Sequence, residues 1–248
     1  MSRKPSDGSN HLSDQSRWID VPWQQLRDED VASRTRTSRL EFRPRTSGQI
    51  QYQQVIESST LTLCTGPAGS GKSHVPMALG LRQVEEKKVG KLVLCRPMQE
   101  CGRQAGWFPG DLGQKIAPYF RPLLDILEDL LGPEDLAGWL REGKVVLAPL
   151  EFLRGCTLKN SFVLADEAQN YSRKQLLMLL TRIGEGCRMV VAGGLPAQAD
   201  LEFLHETALQ WVMRGLLGEE DIGQVRLTED DICRPDLVRR IVRRLGEG

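Results

Sequence analysis

Short apolar runs of five or six residues alternate along the chain with longer stretches in which apolar positions recur at helical spacing. The short runs predict strands at 60–65, 92–96, 144–148, 161–165, 188–192 and 224–228. The longer stretches predict helices at about 71–87, 113–131, 134–141, 173–183, 201–217 and 235–246. Pro76 falls early in the first of these, where a proline can kink the chain. Strands that alternate with helices predict an α/β domain, a parallel sheet covered on both faces. A ligand in such a fold lies beyond the C-terminal ends of the strands.

The first 45 residues break this pattern and read as a polar, partly disordered arm ahead of a domain over 46–248. Trp18, Val21, Pro22 and Trp23 form an apolar island in the arm. Arg34, Arg36, Arg39, Arg43 and Arg45 face one acid, Glu41. That run suits a nucleic-acid-binding arm and equally a solvated linker, and no aromatic residues interleave it. A segment at about 97–132 reads as an insertion. Its Trp107 and Phe108 sit at a turn, while Tyr119 and Phe120 fit a helical pattern and are expected to pack rather than to stack on bases.

Composition narrows the class. The 248 residues, 40% hydrophobic, suffice for one α/β domain with an extra segment. Formal net charge is +0, so the global field does not announce a nucleic-acid partner. Cys64, Cys95, Cys101, Cys156, Cys187 and Cys233 are scattered without C-x-x-C spacing, as expected of reduced core thiols rather than of a disulfide frame or zinc site. The N-terminal stretch is polar and holds no apolar run long enough for a signal peptide or membrane span. A cytoplasmic protein with no membrane partner is the resulting expectation.

Two motifs carry chemistry. Gly66-Pro67-Ala68-Gly69-Ser70-Gly71-Lys72-Ser73 fits G-x-x-x-x-G-K-[ST], between an apolar strand and a helix. Glycines let the backbone wrap phosphates with N–H groups pointing inward. Lys72 is expected to reach the β- and γ-phosphates, and the Ser73 hydroxyl to hold Mg²⁺. Downstream, the run Ser161–Ala165 ends in Asp166 and Glu167. Asp166 at such a strand end would hold Mg²⁺, and Glu167 would orient and deprotonate an attacking water. The pair predicts binding and hydrolysis of a nucleoside triphosphate with Mg²⁺ in a P-loop NTPase fold.

Further stretches, in order, resemble one family from about Thr46 to Leu245. They are Thr46-x-x-Gln49-x-x-Tyr52, the phosphate loop, Arg96-Pro97, and Phe108-Pro109-Gly110-Asp111-Leu112. Lys115-Ile116-x-Pro118-Tyr119-x-Arg121-Pro122, then Ala148-Pro149-Leu150-x-Phe152-x-Arg154-Gly155-x-Thr157-Leu158, come next. Asp166-Glu-Ala-Gln-Asn170, Leu180-Thr181-Arg182-Ile183-Gly184 and Asp231-x-x-Arg234-Pro235 complete the set. The chain so resembles PhoH-like ATPases, which are related to the cores of superfamily 1 helicases, and the resemblance implies ATP as the nucleotide and a RecA-like three-layer parallel sheet with helices on both faces. The resemblance implies an adenine-reading role for Gln49. It makes Gln169 and Gln198 couplers of the γ-phosphate to nucleic-acid or subunit contacts. Arg154 and Arg234 become candidates for stabilising the transferred phosphoryl, in cis or from a neighbouring subunit. It also implies work linked to RNA or single-stranded DNA, an association with phosphate starvation, and a homo-oligomeric ring with the hexamer as its expected size. As a surface residue Arg154 or Arg234 equally suits a salt bridge. Arg182, closing a helix whose Leu176, Leu179, Leu180 and Ile183 form the core face, suits helix-end stabilisation. Arg96, at a strand end, is expected to point to the ligand edge.

One departure matters. The family carries an acid at the position of Gly194, and one extra residue precedes Gln198. Loss of that carboxylate predicts slower or uncoupled hydrolysis, which leaves open a nucleotide-gated assembly or regulatory module with weak turnover. Pro235 where the family has His is expected to alter only local geometry. A thymidine-kinase-like enzyme shares the phosphate loop and the Asp-Glu-Ala-Gln box but carries paired C-x-x-C zinc motifs that this chain lacks.

Overall fold

The computed structural model describes residues 42–98, 112–195 and 206–245. Among these residues six strands form one sheet: β1 (Leu61–Thr65), β2 (Lys91–Arg96), β3 (Val145–Pro149), β4 (Ser161–Ala165), β5 (Cys187–Gly193) and β6 (Ile222–Arg226). Their order is β3-β2-β4-β5-β1-β6, and every adjacent pair is parallel. Among the described residues seven α-helices accompany them: α1 (Ser47–Ser58), α2 (His74–Glu85), α3 (Leu112–Leu131), α4 (Pro133–Arg141), α5 (Arg173–Leu180), α6 (Ala208–Gly215) and α7 (Asp236–Leu245). This is a P-loop NTPase-like α/β fold, as the alternation of runs predicts.

Period-two alternation divides the core into two layers. Cys64, Leu92, Leu94, Phe162, Leu164 and Val190 face one way and pack with side chains of α1 to α4. Leu63, Val93, Cys95, Val163, Ala165 and Met189 face the other way and pack with α5 and α6. β1, β3 and β4 are covered on both faces and buried at every position, mostly by apolar side chains with Thr62, Thr65 and Ser161 among them. β6, at the sheet edge, is mostly only half-buried.

The principal difference from the sequence reading is α1, which the hydrophobic pattern does not predict. Its face toward the core consists of Gln49, Tyr52 and Ile56, two of them polar at one end, so the apolar stripe is too thin to register. Its start signal is local: the Thr46 side chain accepts the N–H of Gln49, the N-cap bond of Thr-x-x-Gln. α2 begins at His74 rather than at 71, because Gly71 has φ +94° and belongs to the loop. Pro76 falls in the first turn of α2, where its missing N–H costs no intrahelical bond. α5 stops at Leu180, three residues short of the expected end. Arg182 covers that end, donating from Nε to the carbonyl of Met178 at 3.1 Å and from Nη1 to the carbonyl of Cys156 at 3.3 Å. α6 begins at Ala208, where Thr207 and Gln210 form a capping box; residues 201–205 of the expected helix lie outside the described residues.

Of the expected insertion, the described helix α3 turns one face into the core. Phe120, Leu123 and Leu127 on α3 are fully buried, and Tyr119 packs against the same cluster. Trp107, Phe108 and the N-terminal tryptophans lie outside the described residues. Cys64, Cys95 and Cys187 are free and buried, and Cys156 and Cys233 are free and half-buried. Among the described residues, no helix is long and apolar enough to cross a membrane.

Candidate functional site

β1 and β4 are separated in the sheet by β5 alone, so their C-terminal ends lie close together. The phosphate loop leaves β1 and the acidic pair leaves β4. Ser73 Oγ donates to Asp166 Oδ1 at 2.6 Å across 93 residues of sequence. The loop wraps tightly because Gly69 and Gly71 both adopt positive φ, +81° and +94°. Lys72 curls back, its Nζ donating to the carbonyl of Pro67 at 2.7 Å. Burial holds the Lys72 pKa below its usual value, opposed by Cys64, Asp166 and Glu167. An anionic group entering the loop would offer this cation the partner it otherwise finds in a carbonyl.

Asp166 is 2% exposed and is clamped from two sides. Ser73 takes one carboxylate oxygen, and the other accepts Arg96 Nε at 3.0 Å and Nη2 at 2.5 Å. Arg96 ends β2, the strand beside β4, which explains its reach. The same guanidinium donates to Glu167 Oε1 at 3.3 Å and to the carbonyl of Tyr119 on α3 at 2.9 Å. Glu167 sits at φ +56°, ψ +38°, a left-handed conformation costing a non-glycine residue about 1 kcal/mol or more. This turn separates the environments of the two acids: Asp166 is buried, while the Glu167 side chain is 46% exposed.

Gln169 is buried and bridges two features of the site. Its Nε2 donates to Glu167 Oε2 at 2.5 Å, and its Oε1 accepts the Gly194 N–H at 2.6 Å. Gly194 thus meets the acidic turn through backbone alone.

These groups line a cleft of about 820 Å³. Ala68, Gly69, Gly71, Lys72 and Ser73 form its floor. Asp166, Glu167, Gln169 and Gly194 form one side, with Gln49 and Arg234 on another. Arg234 packs so closely on the loop that a Cβ at Gly69 would fall 2.7 Å from its Cγ. Gly66 abuts Leu227, after β6, while Pro67 and Ser70 act within the loop: Ser70 Oγ donates to the carbonyl of Pro67 at 2.8 Å. Arg154 is not among the lining residues. It is exposed after the 3-10 turn that follows edge strand β3, four strand spacings from β1, or roughly 19 Å across the sheet. Gln198 lies outside the described residues.

The sequence reading did not single out the far wall, which carries Phe42, His74, Ile126, Asp129 and Leu130. The Phe42 and His74 rings lie 5.5 Å apart between centroids, tilted by 47°. His74 follows the phosphate motif directly, a signal that was legible; Ile126 and Leu130 read only as core positions of a helix.

Ser73 and Asp166 supply two hard oxygen donors already in mutual contact, which suits Mg²⁺, an ion that keeps several waters and takes one or two protein ligands beside phosphates. Among the described residues no cluster of three or more His, Cys, Asp or Glu could hold a metal by itself.

Residues 41–245 match the family described as PhoH-like protein. A PhoH-like protein of Synechocystis sp. is 39% identical over 212 residues, covering 86% of this chain and 64% of that protein. A PhoH-like protein of Mycobacterium tuberculosis is 38% identical over 201 residues, covering 81% and 57% respectively. Protein PhoH of Escherichia coli is 36% identical over 198 residues, covering 79% and 56%. The chain thus spans between 56% and 64% of the length of these relatives.

Proposed function

The chain belongs to the PhoH-like protein family, and on that premise we propose that it binds ATP with Mg²⁺ in the cleft and hydrolyses it, in work coupled to RNA or single-stranded DNA. The observation that carries the proposal is the 2.6 Å contact between Ser73 and Asp166, which joins a phosphate loop to an acidic strand end inside one cleft.

In this reading the loop N–H groups of residues 66–73 cradle the phosphates, and Lys72 exchanges the Pro67 carbonyl for a phosphate oxygen. Ser73 and Asp166 hold Mg²⁺, which when bound neutralises charge on the β- and γ-phosphates. Glu167, exposed to the cleft and steadied by Gln169, orients a water and accepts its proton. Arg234, against the loop, faces the charge that develops on the transferred group. Arg154 acts on a neighbouring copy in a homo-oligomeric ring. Nucleic-acid coupling runs through Gln169 and Gln198, and a phosphate-starvation role and cytoplasmic location accompany the family assignment.

Steady-state ATP hydrolysis by the purified protein, with and without single-stranded RNA, tests this. Turnover that rises with RNA and vanishes in Lys72→Ala is expected. Tight ATP binding with negligible turnover in both conditions would replace it with a second reading, a nucleotide-gated assembly module. The observation favouring that second reading is Gly194: it offers Gln169 a backbone N–H where the family resemblance leads one to expect a carboxylate.

A further inference from the structure

We propose that Gln49 braces the phosphate loop rather than reading the base, so that the cleft takes nucleoside triphosphates with little base preference and holds the base by its face, against Phe42 and His74. The inference rests on the nucleotide-binding reading above and deepens it.

The amide of Gln49 is fully engaged as a donor. Its two N–H groups go to the Ser70 carbonyl at 3.0 Å and to Cys233 Sγ at 3.3 Å. Its Oε1 accepts the Arg45 N–H at 2.9 Å, and the residue is 4% exposed. Reading adenine through a paired contact needs one amide N–H free for N7, with Oε1 taking N6–H. Both donors are instead spent on protein, one of them on the loop backbone.

The surroundings agree with a structural post. A Cβ at Gly71 would lie 2.8 Å from Gln49 Nε2, so the amide rests directly on the loop. One turn further along α1, Tyr52 donates its hydroxyl to the Lys72 carbonyl at 3.1 Å. Gln49, Tyr52 and Ile56 are the buried residues of α1, spaced three and four apart. Gln49 therefore lies on the stripe that supports the loop, at the end where the stripe meets Ser70.

What remains for the base is a wall of faces. Phe42 and His74 present rings, and Ile126 and Leu130 present aliphatic surface. Every base has a π-face, so stacking is tolerant of base identity. Asp129 is the acceptor on this wall, and an amino group on adenine, cytosine or guanine can serve it equally.

Calorimetric titration of the full chain with ATPγS and GTPγS, in Mg²⁺, tests the proposal. The expected dissociation constants agree within about threefold. Phe42→Ala is expected to weaken both ligands about tenfold or more while leaving backbone hydrogen exchange of residues 66–73 unchanged without nucleotide. Gln49→Ala is expected to weaken both by one common factor and to speed that exchange. ATPγS binding tenfold or more tighter than GTPγS, with the difference abolished in Gln49→Glu, would overturn the brace and leave the nucleotide reading intact. Failure of both ligands to bind would overturn both together.

Discussion

Arg96 Nη2 stands 2.5 Å from Asp166 Oδ2, and the guanidinium's other terminal nitrogen, Nη1, reaches the Tyr119 carbonyl at 2.9 Å. The side chains are 13% and 3% exposed, so this is a buried pair and not a screened surface contact. One guanidinium therefore joins the acid of β4 to the helix α3 that builds the cleft's far wall.

Removing one partner of such a pair strands the other. Arg96→Met is expected to cost about 3 kcal/mol of folding stability, because it leaves the Asp166 carboxylate buried with Ser73 as its remaining side-chain donor. Arg96→Met combined with Asp166→Asn should recover much of that loss. Urea midpoints of the two single variants and the double variant give the coupling directly. Simple additivity would show that the pair carries no stability of its own.

The loop's tolerance is equally open to measurement. Gly71→Ala meets two obstacles at once, a φ of +94° and Gln49 Nε2 at 2.8 Å from the new carbon. A loss of about 2 kcal/mol is expected, with a drop in nucleotide affinity as the loop shifts. Thermal denaturation without ligand separates the first effect from the second.

His74 sets a pH dependence. Burial chiefly, and then the Arg45 charge, hold its pKa below the ordinary 6.5, with Asp129 opposing. Between the folded value and 6.5 the unfolded chain binds more protons, so this contribution is present above 6.5 and is lost as pH falls through the folded value. His74→Phe should therefore flatten the decline in stability as pH falls below 6.5. Unchanged curvature in denaturant midpoints across that range would show that other groups govern it.

The strand-end position of Gly194 invites restoration of a carboxylate. Gly194→Asp is expected to raise ATP turnover about tenfold or more, since a second acid at this strand end would help position an attacking water. Turnover equal to that of the parent chain, with ATP affinity unchanged, would place the limiting step elsewhere.

Strands were legible because each is a short, mostly apolar run, the composition that burial on both faces favours. The phosphate loop and Asp166 were legible because backbone wrapping and metal holding require particular residue types at fixed spacing. α1 was not, because its work is done by Gln49 and Tyr52, whose polar ends serve the loop and so dilute the apolar stripe. Arg96 could be placed at the ligand edge from its strand end, but its partners come from β4 and α3 and depend on strand order. The Phe42–His74 wall needs a contact between residues 32 positions apart that no local pattern encodes.

Both flanks of the described fold close on the phosphate loop. Thr46 Oγ1 donates to Asp231 Oδ1 at 2.5 Å, and the Cys233 N–H donates to the Gly69 carbonyl at 3.0 Å. Polypeptide entering before Thr46 and polypeptide leaving after Cys233 therefore share one doorway, at the rim of the cleft. A cut between Thr46 and Gln49 would therefore unseat the loop while leaving all eight of its motif residues in place.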